Sequence, residues 1–152
     1  MGLTVSVIAP GAMGAAVGRR LADHGATVLT LLDGRSEATW NRAAAAGMIA
    51  ADEAQIAASD FILSIVPPGS AEALADRLRG AIAATARKPV YLDCNAVNVE
   101  TTRRIAAVMR SAARPLSTAA SLAGRRDRVM TDRHSIFPGR QRRPLSRSPI
   151  SD

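Results

Sequence analysis

Short apolar runs alternate with helical patterns along the first 112 residues, and this alternation constrains the fold more than any other feature. Runs rich in β-branched and apolar residues predict four strands, at Leu3–Ala9, Thr27–Leu32, Asp60–Gly69 and Pro89–Asn95. Apolar residues at helical spacing predict helices from Met13 to a stop at Gly25 and over Glu37–Ala46, Ser70–Ala84 and Val99–Ala112. A short segment at Met48–Ala51 and a helical turn at Glu53–Ala58 lie between the second and third strands. Strands separated by such helices form βαβ units, so the sequence predicts an α/β fold with a doubly wound parallel sheet.

Residues 114–152 differ in composition from the chain before them. Residues 1–113 hold 11 Lys and Arg against 10 Asp and Glu, whereas residues 114–152 hold 9 Arg against 3 Asp. The second segment has no sustained period and is rich in Arg, Ser and Pro, so we expect a disordered basic tail and a domain boundary after residue 113. A nucleic acid or an acidic partner would bind through this tail, but Phe137 is its only aromatic residue, which argues against nucleic-acid binding.

Bulk features of the sequence argue against a membrane or secreted protein. No apolar run reaches the ~18 residues of a membrane-spanning helix. Leu3–Ala9 has no basic segment before it, which indicates a strand rather than a signal peptide. Cys94 is the only cysteine, so no internal disulfide can form and we expect a cytoplasmic protein. The sequence predicts no metal site.

The stretch VIAPGAMGAAVG, between the first strand and its helix, has the glycine spacing of a dinucleotide-binding turn. Gly11 stands where the central glycine lets the backbone approach the pyrophosphate, and Gly14 where the third allows helix and strand to pack closely. Gly18 would bring the helix close to the sheet. Ala9 replaces the first glycine and serves there if its φ stays negative. We predict cofactor contacts from Ala9, Pro10, Gly11, Ala12, Met13 and Gly14, with an ordinary glycine-rich turn as the alternative.

The end of the second strand carries signals for both nicotinamide cofactors. An acidic residue there accepts hydrogen bonds from the ribose 2′-hydroxyl of NAD, and Asp33 stands at that position. An Arg with a small hydroxyl partner holds the 2′-phosphate of NADP, and Arg35 with Ser36, beside the flexible Gly34, fits this pattern. We favour NADP over NAD, and the alternative interpretation of Arg35 is a solvated loop charge.

These motifs together resemble a known superfamily. GAMGAAVGRRLADHGATV resembles the opening of the 3-hydroxyacid dehydrogenase and 6-phosphogluconate dehydrogenase superfamily, G-x-M-G-x-x-x-(A/G)-x-x-L-x-x-x-G-x-x-V. LDGRSEAT, DFILSIVPPGSA and YLDCNAVNVETTRRIA are similar to one branch, the 6-phosphogluconate dehydrogenase-like NAD(P)-dependent oxidoreductases with a helical C-terminal domain. The resemblance covers residues 3 to about 111 and implies that residues 1–113 form a Rossmann-like NAD(P)-binding domain.

The resemblance also implies an activity and further contacts. Relatives transfer a hydride between nicotinamide and a small hydroxy acid, and they form dimers through the helical domain. Val66, Pro67 and Pro68 would lie along the cofactor near its nicotinamide, and Asn95 would hydrogen-bond the substrate. Cys94 has no activating His beside it in the sequence, so we interpret it as a buried small hydrophobe and not as a nucleophile.

The chain departs from this family after residue 113. Relatives continue with a strand, a glycine-rich loop of the type D-G-G-I-I-G-G-P, a catalytic lysine and the helical domain, and residues 114–152 match none of these. The only lysine, Lys88, stands elsewhere, so no catalytic residue is assigned. We therefore expect a truncated or frameshifted chain with an incomplete sheet. Codons compatible with PLSTAASLAGRRD yield the missing loop when read one frame over, which the gene sequence can test.

Two functions follow from the sequence. One is the cofactor-binding domain of an NAD(P)-dependent oxidoreductase, and the other is a noncatalytic nucleotide-binding fragment. Cofactor binding without turnover by the isolated chain would favour the second function over the first.

Overall fold

The structure, a computed structural model, describes residues 2–110 and 112–118. The strands in these residues are β1 Thr4–Ile8, β2 Thr27–Thr30, β3 Ile49–Ala50, β4 Phe61–Ser64, β5 Val90–Asp93 and β6 Arg114–Thr118. The α-helices are α1 Ala12–Asp23, α2 Glu37–Ala45, α3 Glu53–Ala57, α4 Ala71–Ala84 and α5 Val99–Met109. A 3-10 turn at Pro68–Ser70 leads into α4.

The strands form one sheet in the order β3-β2-β1-β4-β5-β6, and all pairs are parallel. Val5 of β1 lies opposite Val28 of β2 on one side and Phe61 of β4 on the other, so the strand order reverses between β1 and β4. Ligands of open α/β sheets bind outside the carboxyl ends of the strands at such a switch point. The predicted doubly wound, Rossmann-like sheet is confirmed.

We placed the third main strand within Asp60–Gly69 and ended it at two prolines, and β4 ends at Ser64, just before them. Ile65 still donates its N–H to the Ile8 carbonyl of β1. Pro67 and Pro68 follow, and because proline has no N–H to donate to a neighbouring strand, the chain leaves the sheet and turns into α4.

Apolar side chains pack in two clusters, one on each face of the sheet. Helices α1 and α2 cover the cluster around Val7 and Val28. Helices α3, α4 and α5 cover the other cluster, in which the helical residues Leu78, Ile82 and Ile105 are completely buried. Burial of each such side chain stabilises the fold by about 1.5–3 kcal/mol. This packing fixes the helices against the sheet, and the strand ends are held in position with it. No helix in the described part of the chain has the length and hydrophobicity that a membrane crossing requires.

Strand β6 lies beyond the boundary that we predicted after residue 113. Its 5 residues, Arg114–Thr118, pair in parallel with β5, with an irregularity in register between Val90 and Leu92. Residues 114–118 thus extend the sheet past that boundary, and the division of the chain after residue 113 stays a prediction. RPLST is too short to show a period, and Pro115 argues against a strand, although an edge strand accommodates proline. The remainder of the predicted tail, 119–152, lies outside the described residues.

Candidate functional site

The turn between β1 and α1 presents backbone N–H groups at the carboxyl edge of the sheet. Gly11 is the N-cap of α1, and its own N–H donates to the Ala9 carbonyl at 2.9 Å. The N–H groups of Ala12, Met13 and Gly14 have no acceptor among the described residues, and the first turn of α1 has no acidic side chain. A helix N-terminus with unpaired N–H groups and a positive dipole favours an anion such as a phosphate.

The glycines of this turn differ in what surrounds their α-carbons. A Cβ on Gly14 would lie 2.1 Å from the Ala9 carbonyl oxygen, so a larger residue would displace the turn. A Cβ on Gly11 would meet no atom within 4 Å, so the space beside this α-carbon is open. Gly18 packs against Met48, whose sulfur would lie 2.7 Å from an added Cβ. No described residue other than glycine has a positive φ, so Ala9 meets the condition for replacing the first glycine.

Helix α2 braces the turn from a distant part of the sequence. The Arg42 guanidinium donates a hydrogen bond to the Pro10 carbonyl at 3.2 Å. Nothing in the sequence around Arg42 predicts this contact, because a basic residue in the last turn of a helix is common and complements the helix dipole. The contact holds Pro10 in place and adds a positive charge near the N-terminus of α1.

The turn after β2 leaves its charged side chains exposed. Arg35 donates its backbone N–H to the Leu32 carbonyl at 3.0 Å, and Gly34 has a φ of +66°, which favours glycine at this position. Among the described residues, neither the Asp33 carboxylate nor the Arg35 guanidinium forms an ion pair. Ser36 is the N-cap of α2, but its hydroxyl bonds to the Thr39 hydroxyl rather than to a backbone N–H. The Asp33 carboxylate and the Arg35 guanidinium are therefore available to a ligand, whereas the Ser36 hydroxyl has Thr39 as its partner.

A cleft of about 200 Å³ lies at the switch point, and we call it the switch-point cleft. It brings together residues from the turn after β2, the loop after β4 and the start of α4; its polar and apolar walls include Asp33, Arg35, Val66, Ser70, Leu74 and Arg77. Three of these residues were predicted to contact a cofactor. Pro67 and Pro68 are exposed beside the cleft and do not line it. Ser70, Leu74 and Arg77 were missed, because a helical period does not show which face of α4 turns towards the cleft.

The turn after β5 uses its polar side chains to bond to one another. Asn95 accepts the Val66 backbone N–H at its Oδ1 at 2.8 Å. Its Nδ2 donates to Ser64 Oγ at 2.9 Å and to Asp93 Oδ1 at 2.7 Å. Both amide N–H donors of Asn95 are thus engaged, and one Oδ1 lone pair is left. The structure gives Asn95 a role in fastening the ends of β4 and β5, and its contact with a substrate stays a prediction.

Near this turn Tyr91 and Asp93 are buried and Cys94 is half-buried. Burial raises the pKa of the Cys94 thiol, and the Asp93 carboxylate raises it further, which disfavours the reactive thiolate. Burial raises the pKa of Tyr91 to about 12, against a smaller lowering by the neighbouring Ser64 hydroxyl. The Tyr91 hydroxyl and the Asp93 Oδ2 have no hydrogen-bond partner within the described part of the chain. The geometry thus supports the interpretation of Cys94 as an unreactive residue.

Comparison with protein families identifies the domain. The family described as the NAD binding domain of 6-phosphogluconate dehydrogenase matches residues 4–139. The match continues past residue 111, where we expected the resemblance to end. No curated protein matches the chain.

Solved structures share this fold. A conserved protein of unknown function, whose structure is described as similar to 3-hydroxyacid dehydrogenases, is 27% identical with a TM-score of 0.65, over 76% of this chain and 42% of its own. The 3-hydroxyisobutyrate dehydrogenase of Mycobacterium tuberculosis is 19% identical with a TM-score of 0.62, over 78% and 40%. An imine reductase from Myxococcus stipitatus in complex with NAD+ is 21% identical with a TM-score of 0.60, over 78% and 40%. The chain thus spans between 40% and 42% of the length of these proteins.

Proposed function

Since the chain belongs to the family of the NAD binding domain of 6-phosphogluconate dehydrogenase, we propose that it is the cofactor-binding part of an oxidoreductase of the 3-hydroxyacid dehydrogenase type. The substrate class is a small hydroxy acid, and the bound nicotinamide would carry the hydride. The observation that carries the proposal is the start of α1, where three N–H groups in succession lack an acceptor among the described residues.

The residues present fit a dinucleotide. The N–H groups of Ala12, Met13 and Gly14 would bind the pyrophosphate, and the open space at Gly11 would admit it. The switch-point cleft would then receive the adenosine end, with Asp33 and Arg35 at the ribose. These contacts bind and orient the cofactor, and they assign no group to proton transfer.

We favour NADP as the cofactor. Arg35 has no ion-pair partner among the described residues, and Ser36 beside it does not use its hydroxyl to cap α2. The Arg35 guanidinium is thus available to a 2′-phosphate, and the Ser36 hydroxyl would donate to the phosphate in place of its bond to Thr39. Asp33 is the competing signal, because a carboxylate at this turn accepts hydrogen bonds from the ribose of NAD.

Fewer observations support a position for the nicotinamide end of the cofactor than for its adenosine end. Val66 lines the same cleft as Asp33 and Arg35, which supports a contact with adenosine more than the predicted contact with nicotinamide. Pro67 and Pro68 follow it on the exposed side and remain candidates for the nicotinamide end.

The catalytic acid or base is unassigned. Lys88, the only lysine, donates to the Ile82 and Ala83 carbonyls and precedes β5, so it lies at the opposite edge of the sheet from the cleft. We propose that the 152-residue chain binds the cofactor without supplying this group. Turnover of small 3-hydroxy acids by the isolated chain would contradict this part of the proposal.

Thermal unfolding with and without NADPH tests the binding function, using Gly11→Asp and Gly11→Asn. Either side chain is a good N-cap and meets open space, so both variants should fold. The aspartate places a negative charge where the pyrophosphate would bind, so we expect its NADPH affinity to fall by about 100-fold or more. Gly11→Asn adds a side chain of the same size without the charge, so this variant should bind NADPH more tightly than Gly11→Asp. A wild-type protein that neither NADPH nor NADH stabilises would overturn the proposed function.

A further inference from the structure

Arg77 lies in the switch-point cleft with Asp33 and Arg35 but comes from a different element, α4. Its Nε donates to Glu53 Oε1 at 2.6 Å, and Glu53 stands in the first turn of α3. The side chains are 46% and 39% exposed, so solvent screens this ion pair. Exposed pairs of this kind contribute little to stability, so the guanidinium can exchange its partner at low cost.

We propose that Arg77 is a specificity residue that binds the 2′-phosphate of NADP together with Arg35, and that Glu53 competes with the phosphate for it. The inference rests on the proposed function, because it concerns the adenosine end of the same site. An arginine forms paired hydrogen bonds to phosphate oxygens, and a phosphate carries more charge than the Glu53 carboxylate. NAD has only a hydroxyl at this position, which leaves Arg77 with Glu53 and engages Asp33 instead.

The charges that line the cleft support this assignment. Arg35 and Arg77 contribute two positive charges against the single carboxylate of Asp33, which gives the cleft a net positive lining. Glu53 and Asp52 belong to a neighbouring pocket that also includes Asp33 and Arg77, so Arg77 stands between a more acidic side and the cleft. A 2′-phosphate in the cleft would therefore meet two guanidinium groups on different elements, the turn after β2 and α4.

The chain contains a matched control for this ion pair. Arg104 of α5 donates to Glu72 of α4 at 2.9 Å, and the two side chains are 48% and 39% exposed. This pair also joins two neighbouring helices, but it does not line the switch-point cleft. Arg104 also pairs with Glu100 of its own helix, so Arg104→Ala removes at least as many exposed ion pairs as Arg77→Ala without altering the cleft.

The experiment measures the dissociation constants of NADPH and NADH, which differ only in the 2′-phosphate, by fluorescence titration. We expect Arg77→Ala to weaken NADPH binding by about tenfold, the value of a charged hydrogen bond, and to leave NADH binding unchanged. Glu53→Gln should tighten NADPH binding by about threefold, since it removes the competitor and keeps the side-chain shape. Arg104→Ala should change neither constant.

The outcomes separate this inference from the function on which it rests. A wild-type chain that binds neither nucleotide overturns both. A wild-type chain that binds both nucleotides, in which Arg77→Ala weakens them equally or not at all, overturns the role of Arg77 alone. A wild-type chain that binds NADH and not NADPH also overturns that role. Glu53→Gln keeps the test decisive if Arg77→Ala unfolds, because unchanged NADPH affinity in Glu53→Gln contradicts the competition.

Discussion

The turn after β1 and the turn after β5 occupy the same edge of the sheet but use their polar groups in opposite ways. The first holds three consecutive N–H groups that no described residue accepts. The second joins Ser64, Asp93, Asn95 and the Val66 N–H in one set of hydrogen bonds. Polar groups that bond to one another stabilise the fold, whereas polar groups without internal partners are available to a ligand. Under the proposed function, the first turn would bind the cofactor, whereas the second turn holds the strand ends in position.

The largest expected effect is a loss of stability at the turn after β1, where Gly14 lies close to the Ala9 carbonyl. Gly14→Ala places a Cβ 2.1 Å from the Ala9 carbonyl oxygen, so the backbone must shift. We expect the free energy of unfolding to fall by about 3 kcal/mol, the upper range for overpacking. Gly11→Ala is the control, since its Cβ meets open space and should change stability by less than about 1 kcal/mol. Urea unfolding of both variants measures the contrast, and equal losses would refute it.

The next effect is a loss of stability at the turn after β5. Asn95→Asp replaces the amide donor by a carboxylate oxygen beside Asp93 Oδ1, which now lies 2.7 Å from Nδ2. We expect a loss of about 2 kcal/mol at pH 7 from the repulsion between the two carboxylates and from the loss of the hydrogen bonds that the amide donates. Asn98→Asp is the matched control, because Asn98 caps α5 through its Oδ1 and aspartate caps equally well. A stability equal to that of Asn98→Asp would mean that the Asn95 bonds contribute nothing.

The smallest effect appears only at high pH. The pKa of Tyr91 is about 12 in the folded chain against 10.0 as the ordinary value. A raised pKa means that the neutral form stabilises the fold below pH 10 and that this stability is lost as pH rises towards 12. We expect Tyr91 to account for a loss of roughly 2 kcal/mol between pH 9 and pH 12. Tyr91→Phe should lose less stability over that range in pH-dependent urea unfolding, and parallel curves would count against a buried phenol.

The sequence predicted those parts of the candidate site that residues close together in the chain form. Strand β1, Gly11 and Gly14 lie within a few residues of one another, so their spacing alone predicts the turn and the helix dipole. The charged turn after β2 also consists of neighbouring residues, and its sequence predicted Asp33, Arg35 and Ser36 as cofactor contacts. Neither prediction depended on residues that are distant in the sequence.

Contacts between distant residues were not predictable in the same way. Arg77 reaches the cleft through the orientation of α4, and Arg42 reaches Pro10 through the packing of α2. Asn95 looks like a free polar residue in the sequence, but its partner Val66 precedes it by 29 residues. β6 was missed because pairing with the exposed edge of β5 supplies its hydrogen bonds, and the sequence of β6 carries no sign of that neighbour.

The Asn95 amide also ties two loops into one mechanical unit. One wall of the switch-point cleft contains Val66, and the backbone N–H of this residue is bonded to the side chain that holds Asp93. Moving either loop alone would cost these hydrogen bonds, so the two loops are expected to shift together. A ligand in the cleft that prefers one position of Val66 would therefore also act on the end of β5, to the extent that these hydrogen bonds couple the two loops.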